Sequence, residues 1–208
     1  MSKDATIREI HHRVKNNLQT VAALLRLQAR RVDAPEARMA LEESVRRVAS
    51  IALVHETLSM SSDEAVEFDG IVDRVATAAT EVATTAISVR MRREGSFGVL
   101  PAEIATSLVM VLNELLINAV EHGFGEDGEP GQDAEVIVTP RRFRKQLHVT
   151  VSDNGRGLPD GFRSDSNGRL GLQIVRALAT GELRGTIDLR SRDGGGTEAV
   201  VVVPLRRR

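Results

Sequence analysis

The distribution of glycine divides this chain into two parts with different folding options. The first glycine is Gly70, and Pro35 is the only proline before it. Because glycine and proline are the residues least compatible with a helix interior, we predict helix from about Asp4 to Met60 with a break at Val32 to Pro35. Pro35 suits the first turn of a second helix. The amino-terminal part is therefore predicted to be an antiparallel helical hairpin.

The remainder of the chain alternates helices and strands. Helical patterns run over Phe68 to about Ala86, Pro101 to about His122, and Leu170 to Ala179. Alternating or apolar strand patterns cover 87–93, 135–139, 146–152, 186–190 and 198–204. Helices among mostly neighbouring strands predict an α/β sandwich with one sheet face covered. We predict an α+β chain with a hairpin at 1–62 and a sandwich domain at 63–208.

Composition excludes several classes of protein. The chain has no cysteine, which excludes disulfides, thiol catalysis and Cys-ligated zinc. Aromatic residues are 2% of the chain and all of them are Phe, which disfavours base-stacking nucleic-acid modules. The net charge of -1 gives no polyanion signal. With no signal peptide and no apolar run of transmembrane length, we expect a cytoplasmic chain without nucleic-acid or membrane partners. If it belongs to a receptor, the sensing part is missing or lies upstream.

Two adjacent histidines lie near the start of the first predicted helix. At about 100° per residue, His11 falls on the edge of an apolar stripe, whereas His12 falls on the opposite polar face. His11 is interpreted as a packing residue, and His12 as either a solvated surface histidine or a reactive one. The stripe consists of Ile7, Val14, Leu18, Val21 and Leu25. Because a two-helix hairpin cannot bury one such stripe per helix, we predict a dimer that forms a four-helix bundle.

Two polar segments in the second part have nucleotide-binding chemistry. Glu114 and Asn118 lie four residues apart and share a helix face. They could act as a base and as an oxygen ligand to Mg²⁺, or form the polar stripe of an ordinary amphipathic helix. The second segment, Ser152-Asp-Asn-Gly-Arg-Gly, follows a strand. Asp153 offers an acceptor for an exocyclic amine, and Gly155 and Gly157 allow close approach, although Asn-Gly is also a common turn.

Two further segments are rich in glycine. Asn167-Gly-Arg-Leu-Gly leads into a helix, whose first backbone N–H groups favour phosphate. Gly194-Gly-Gly-Thr separates two strands and could be only a hairpin turn. The spacing matches neither the P-loop nor the dinucleotide-binding fingerprint.

Taken in order, these segments resemble the motifs of the GHKL (Bergerat-fold) ATP-binding superfamily. With His-Arg-Val-Lys-Asn-Asn upstream, residues 7–204 resemble the catalytic region of sensor histidine kinases of the HisKA_2 subfamily, most closely the cytosolic PdtaS-type kinases of actinobacteria. The resemblance implies ATP and Mg²⁺ as cofactors, a homodimer formed through the hairpin, and the receiver domain of a response regulator as partner. It implies autophosphorylation on one histidine, followed by phosphotransfer to an aspartate of the regulator.

The resemblance also implies residue roles. His12 is the phosphoacceptor, Asn118 the Mg²⁺ ligand and Asp153 the adenine reader. The remaining nucleotide-binding positions are Gly155, Gly157, Gly168, Leu170, Gly171 and Thr197.

The chain departs from commoner histidine kinases at two places. Arg13 stands where an acid usually follows the histidine, so the proton acceptor stays open between Glu9 and Glu114. Glu121 stands where many relatives have Lys, so phosphate charge must be offset by Arg156, Arg169 or the metal. The alternatives are a non-catalytic dimeric phosphorelay or scaffold module with a regulatory nucleotide site, and an ATPase or protein-serine kinase of the anti-sigma type. The latter lack the histidine hairpin.

Overall fold

The computed structural model describes residues 3–59, 65–82, 88–124, 133–159, 161–162 and 170–205. Contacts within the chain define two compact units, Met1–Glu64 and Ala65–Arg208. The predicted boundary after residue 62 lies two residues from this division.

The first unit is a pair of helices. Helix α1 is Lys3–Ala29 and helix α2 is Pro35–Ser59, as the glycine distribution predicts. The Arg38 guanidinium donates to the carbonyl of Val32 (Nη2 to O, 3.2 Å) and so links α2 to the turn before it. Ala22, Ala29 and Val45 are buried between the helices. Small residues at this contact allow the two backbones to approach closely.

The hairpin also carries apolar side chains that it does not bury. Val21, Leu24, Leu27 and Met39 are 44%, 58%, 44% and 68% exposed. Val21 belongs to the stripe predicted from helical phase, yet the residue buried within the hairpin is its neighbour Ala22. The hairpin therefore has a second apolar surface besides the one that joins α1 to α2.

The second unit contains a five-stranded sheet in the order β2-β4-β5-β7-β6. Among the described strands of this sheet, β2 and β4 are parallel and the other neighbouring pairs are antiparallel. The strands are β2 Arg90–Arg93, β4 Glu135–Phe143, β5 Gln146–Asp153, β6 Thr186–Ser191 and β7 Thr197–Pro204. A separate antiparallel pair joins β1 (Ala65–Glu67) to β3 (Val99–Pro101). This small pair was not predicted, because three residues are too few for a readable alternation.

The described part of the second unit contains three α-helices. They are α3 Asp69–Val82, α4 Ala102–Asn118 and α5 Leu170–Arg176. Helices α4 and α5 each continue into a π-helical turn, at Ala119–Phe124 and Ala177–Glu182. Pro101, predicted to open the apolar helix, directly precedes it as the last residue of β3.

The core lies on one side of the sheet, as predicted. Leu147, Val149 and Val151 of β5 are buried, whereas the residues between them are half-exposed. Helix α4 contacts β5, and most of its apolar side chains are buried. Among the described helices, Ala102–Phe124 alone is long and apolar enough to cross a membrane, but 72% of its apolar window is buried inside this fold. Its hydropathy is accounted for by its place in the core.

Candidate functional site

Asp153 lies at the carboxyl end of β5 and is only 4% exposed. Its Oδ1 accepts hydrogen bonds from the backbone N–H groups of Gly155 (2.9 Å) and Thr197 (3.1 Å). Thr197 is available because β7 begins there and pairs with β5, with Glu198 opposite Ser152. The strand register therefore brings together Asp153 and Thr197, two of the predicted site residues.

Burial and hydrogen bonding shift the pKa of Asp153 in opposite directions. Burial raises the pKa of its carboxyl group above the ordinary value, because the charged form is poorly solvated. The N–H groups of Gly155 and Thr197, the Thr197 side chain and the positive charge of Arg192 lower the pKa and offset part of this effect. The carboxyl group therefore protonates more readily than an exposed aspartate.

Two glycines allow backbone segments to close around Asp153. A Cβ on Gly155 would lie 2.2 Å from the carbonyl oxygen of Gly123, and one on Gly196 would lie 2.0 Å from the carbonyl oxygen of Asp153. Gly196 also has a φ of 93°, and Gly157 has a φ of 78°, in the region that favours glycine. Close packing at Gly155 and Gly196, and positive φ angles at Gly157 and Gly196, explain why these residues are glycines.

The π-helical turn after α4, Ala119–Phe124, also lies beside Asp153. The Arg156 N–H donates to the carbonyl of Gly123 (3.0 Å), and the Arg156 Nε donates to the carbonyl of His122 (2.6 Å). The loop after Asp153 is thus bound to the end of the turn. Single π-helical turns are frequent at functional sites, and here the turn places Ala119, His122 and Gly123 beside Asp153.

A cavity of about 620 Å³ lies between these elements, within the range of small-molecule sites. Four predicted site residues line it: Asn118, Asp153, Gly157 and Thr197. The rest of the lining is mainly apolar with two basic residues: Leu115, Ala119, His122, Gly123, Val151, Arg156, Leu158, Pro159, Phe162, Leu172, Leu189 and Ala199. A largely apolar cavity with a buried carboxylate at one point suits a flat heterocycle that carries a hydrogen-bond donor.

Several predicted residues lie elsewhere or outside the described part. Glu114 is 5% exposed and buried in α4. It is not among the described residues that line the cavity. Leu170 and Gly171 begin α5, and Gly171 is buried. His12 and Glu9 lie in α1, but their side chains are outside the described part of the chain, as are Gly168 and Arg169.

Some residues of the site were missed by sequence reasoning. Leu189 and Ala199 are opposite each other in the register of β6 and β7, so strand alternation alone could have identified them. Arg192 donates from Nη1 to the main-chain oxygen of Asp153 (2.8 Å). A contact with a main-chain oxygen leaves no sequence signature, so this residue could not have been found.

Asn118 provides a test of whether a metal would fit. Its Nδ2 is buried and has no hydrogen-bond partner among the described residues. A buried amide without a partner is costly, and the two ends of an Asn amide are interchangeable in position, so its oxygen could turn to a ligand. The described residues contain no cluster of three or more His, Cys, Asp or Glu. This donor set fits Mg²⁺ held by few protein ligands together with substrate phosphates.

Two families match the chain in succession. Residues 9–83 match the HisKA_2 family, described as histidine kinase. Residues 103–207 match the family described as histidine kinase-, DNA gyrase B-, and HSP90-like ATPase.

Individual proteins are similar over the whole chain. The sensor histidine kinase PdtaS of Mycolicibacterium smegmatis is 55% identical over 100% of this chain, and that of Mycobacterium tuberculosis is 52% identical over 100%. The chain spans 41% of the length of each of these relatives. The solved histidine kinase domain of a blue-light-activated kinase from Erythrobacter litoralis has a TM-score of 0.65 and 26% identity, covering 97% of this chain and 92% of that domain.

Proposed function

The chain belongs to the histidine kinase-, DNA gyrase B-, and HSP90-like ATPases and joins such a domain to a histidine kinase region, and from this premise we propose that it phosphorylates its own His12 with ATP and passes the phosphoryl group to an aspartate of a response regulator. The observation that carries the proposal is the buried Asp153 carboxylate in the 620 Å³ cavity, with Oδ1 held by Gly155 and Thr197.

Adenine recognition follows from this geometry. Two N–H donors occupy Oδ1, and the Thr197 side chain also hydrogen-bonds the carboxyl group. Oδ2, which receives neither N–H group, is proposed to accept from the exocyclic amine of adenine. Apolar side chains such as Leu115, Val151 and Leu189 line the same cavity and suit the faces of the ring. A buried acceptor discriminates strongly, because a ligand without the matching donor leaves it unpaired.

We assign the phosphates to the part of the cavity lined by Asn118, Arg156 and His122. Asn118 would hold a Mg²⁺ ion through its amide oxygen, and the ion would offset phosphate charge. Arg156 and His122, which also line the cavity, contribute positive charge or hydrogen bonds to the phosphate chain. Gly168, Leu170 and Gly171 are proposed to border the phosphates. Glu121 occupies the position where many relatives have Lys, which increases the importance of Arg156.

His12 is proposed as the nucleophile. The neutral imidazole attacks the γ-phosphorus, the bond from the γ-phosphorus to the bridging oxygen breaks, and ADP leaves with that electron pair. The ring then loses its proton, so a base is needed only as the new bond forms. Glu9 and Glu114 remain the candidate acceptors; Glu114 is buried in α4 and is not among the described residues that line the cavity.

The hairpin surface supports a homodimer. The exposed Val21, Leu24, Leu27 and Met39 would be covered by a second copy in a four-helix bundle. The receiver domain of a response regulator is proposed to dock on the hairpin near His12. We further propose a cytoplasmic location, with no nucleic-acid or membrane partner for this chain.

Incubation of the chain with γ-labelled ATP tests the proposal. We expect a protein-bound label that acid removes and alkali does not, which is the behaviour of phosphohistidine. His12→Ala should abolish it, while the adjacent variant His11→Ala should keep it. Label that survives acid, or that persists in His12→Ala, would contradict the proposal. A non-catalytic scaffold would bind ATP without any label or ADP appearing.

A further inference from the structure

The turn between β6 and β7 holds the main chain of Asp153 as well as its carboxylate. Arg192 Nη1 donates to the Asp153 carbonyl oxygen at 2.8 Å. The Arg192 N–H in turn donates to the carbonyl of Gly196 (2.9 Å), and the Gly195 N–H donates to the carbonyl of Arg192 (3.2 Å). Arg192 is therefore fixed by its own tight turn, and its guanidinium reaches across to a different strand.

We propose that Arg192 is a positioning residue for adenine recognition, which holds the Asp153 main chain in place and keeps the Asp153 carboxylate in the ionised form that an exocyclic amine requires. This inference rests on the proposed nucleotide function of the cavity. Arg192 is not among the residues that line the cavity, so it acts through Asp153 rather than by touching the ligand.

The state of Oδ2 explains why ionisation matters. Because two N–H groups already donate to Oδ1, a proton on this carboxyl group would reside on Oδ2. Oδ2 would then present a donor to the amine of adenine, which is also a donor. An ionised Asp153 accepts from a 6-amino purine, whereas a protonated one suits the 6-oxo group of hypoxanthine.

Burial alone would favour the protonated form of Asp153, which does not suit a 6-amino purine. It raises the pKa of Asp153, and the charge of Arg192 lowers it. Other charged or titratable groups on the elements around Asp153 are Glu121, His122, Glu135, Arg156, Asp193 and Glu198. Glu135 is paired with Arg92 (2.8 Å), and Glu198 with Arg190 (2.6 Å). His122 and Arg156 share the cavity, so their effects reach any nucleotide that binds there.

Because the ionised and protonated forms of Asp153 suit different purines, the experiment measures the affinities of the full chain for ADP and for inosine diphosphate from pH 5 to 8. Arg192→Gln removes the charge but leaves an amide donor, and Arg192→Lys keeps the charge. Arg190→Gln is the matched control, since it removes one positive charge two residues away, on β6, and Arg190 does not contact Asp153 in any described hydrogen bond.

We expect Arg192→Gln to weaken ADP binding by about two- to tenfold at neutral pH, the range for one hydrogen bond. The midpoint of the ADP pH profile should move to higher pH, while the affinity for inosine diphosphate should not fall. Arg192→Lys and Arg190→Gln should resemble the wild type. Retained binding of inosine diphosphate also shows that the pocket of the variant is folded.

Two results would overturn the inference while leaving the nucleotide function intact. One is an equal loss of both nucleotides in Arg192→Gln, which would mean a general charge or folding effect. The other is an unchanged ADP profile. If the wild type binds neither nucleotide, the proposed function fails and this inference fails with it.

Discussion

Thr197 donates its backbone N–H to Asp153 Oδ1 at 3.1 Å, although 44 residues separate the two in sequence. The bond exists because β7 begins at Thr197 beside the end of β5. The β-sheet therefore fixes one oxygen of the buried carboxylate, and the proposed nucleotide is bound by the other. This division of roles determines what substitutions at Asp153 should do.

Asp153→Asn should reverse the base preference of the cavity. The Asn Oδ1 can still accept from Gly155 and Thr197, so its NH₂ group takes the place of Oδ2 and faces a 6-amino purine as a second donor. One buried unmatched polar pair costs about 1–3 kcal/mol, so ADP affinity should fall roughly 5- to 150-fold. Inosine diphosphate should bind more tightly than it does to the wild type. Titration calorimetry with both nucleotides checks this, and an equal loss of both would contradict it.

The same variant should change the pH dependence of stability in the absence of nucleotide. The pKa of Asp153 is raised in the folded protein by burial, so its neutral form is stabilised below the unfolded pKa and this stabilisation is lost as pH rises through the folded pKa. Asn carries no charge at any pH. The stability of Asp153→Asn relative to the wild type should therefore increase from acidic to neutral pH. Urea unfolding at several pH values measures it, and a difference that shrinks with pH would refute the assignment.

Much of the fold could be predicted from the sequence, and the limits have physical reasons. Long segments with helical or alternating periodicity, such as α1 and β5, were located because many residues carry the same signal. The three-residue strands β1 and β3 and the π-helical turn at Ala119–Phe124 are too short to show a period. Asp153 was predicted from its motif, and it lines the cavity. Arg192 could not be predicted, because it contacts a main-chain oxygen and such a contact leaves no sequence signature.

Gly155→Ala should destabilise the sandwich domain strongly. Its Cβ would lie 2.2 Å from the carbonyl oxygen of Gly123, and neither backbone segment is a flexible side chain that could move aside. We expect a loss of about 2–4 kcal/mol, as for overpacked buried sites. Gly70→Ala is the control, because a Cβ there meets nothing within 4 Å in α3. It should leave stability unchanged or raise it by up to about 1 kcal/mol. Urea unfolding of both variants is decisive, and equal stabilities would show that the Gly155 loop is easily displaced.

Asn118→Ala should separate ligand binding from folding. Its Nδ2 is buried without a partner among the described residues, so removing the amide should cost little stability in the free protein, within about 1 kcal/mol. Nucleotide affinity should lose its dependence on Mg²⁺, because the proposed protein ligand is gone. The checks are thermal unfolding without nucleotide and ADP titrations with Mg²⁺ or with EDTA. A variant that unfolds readily, yet keeps the full Mg²⁺ effect, would show that Asn118 has a structural role instead.

Leu24→Glu should weaken the dimer. Leu24 is 58% exposed on α1, and in the proposed four-helix bundle a second copy covers it. Loss of one buried leucine alone costs about 1.5–3 kcal/mol, and a carboxylate in its place adds the cost of burying charge, so the dimer dissociation constant should rise at least about tenfold. Gln19→Glu is the control, since it adds the same charge to the same helix at an exposed polar position on a different face from Leu24. Light scattering over a concentration series measures both. If Leu24→Glu remains as dimeric as Gln19→Glu, the second copy does not pack against this surface of α1.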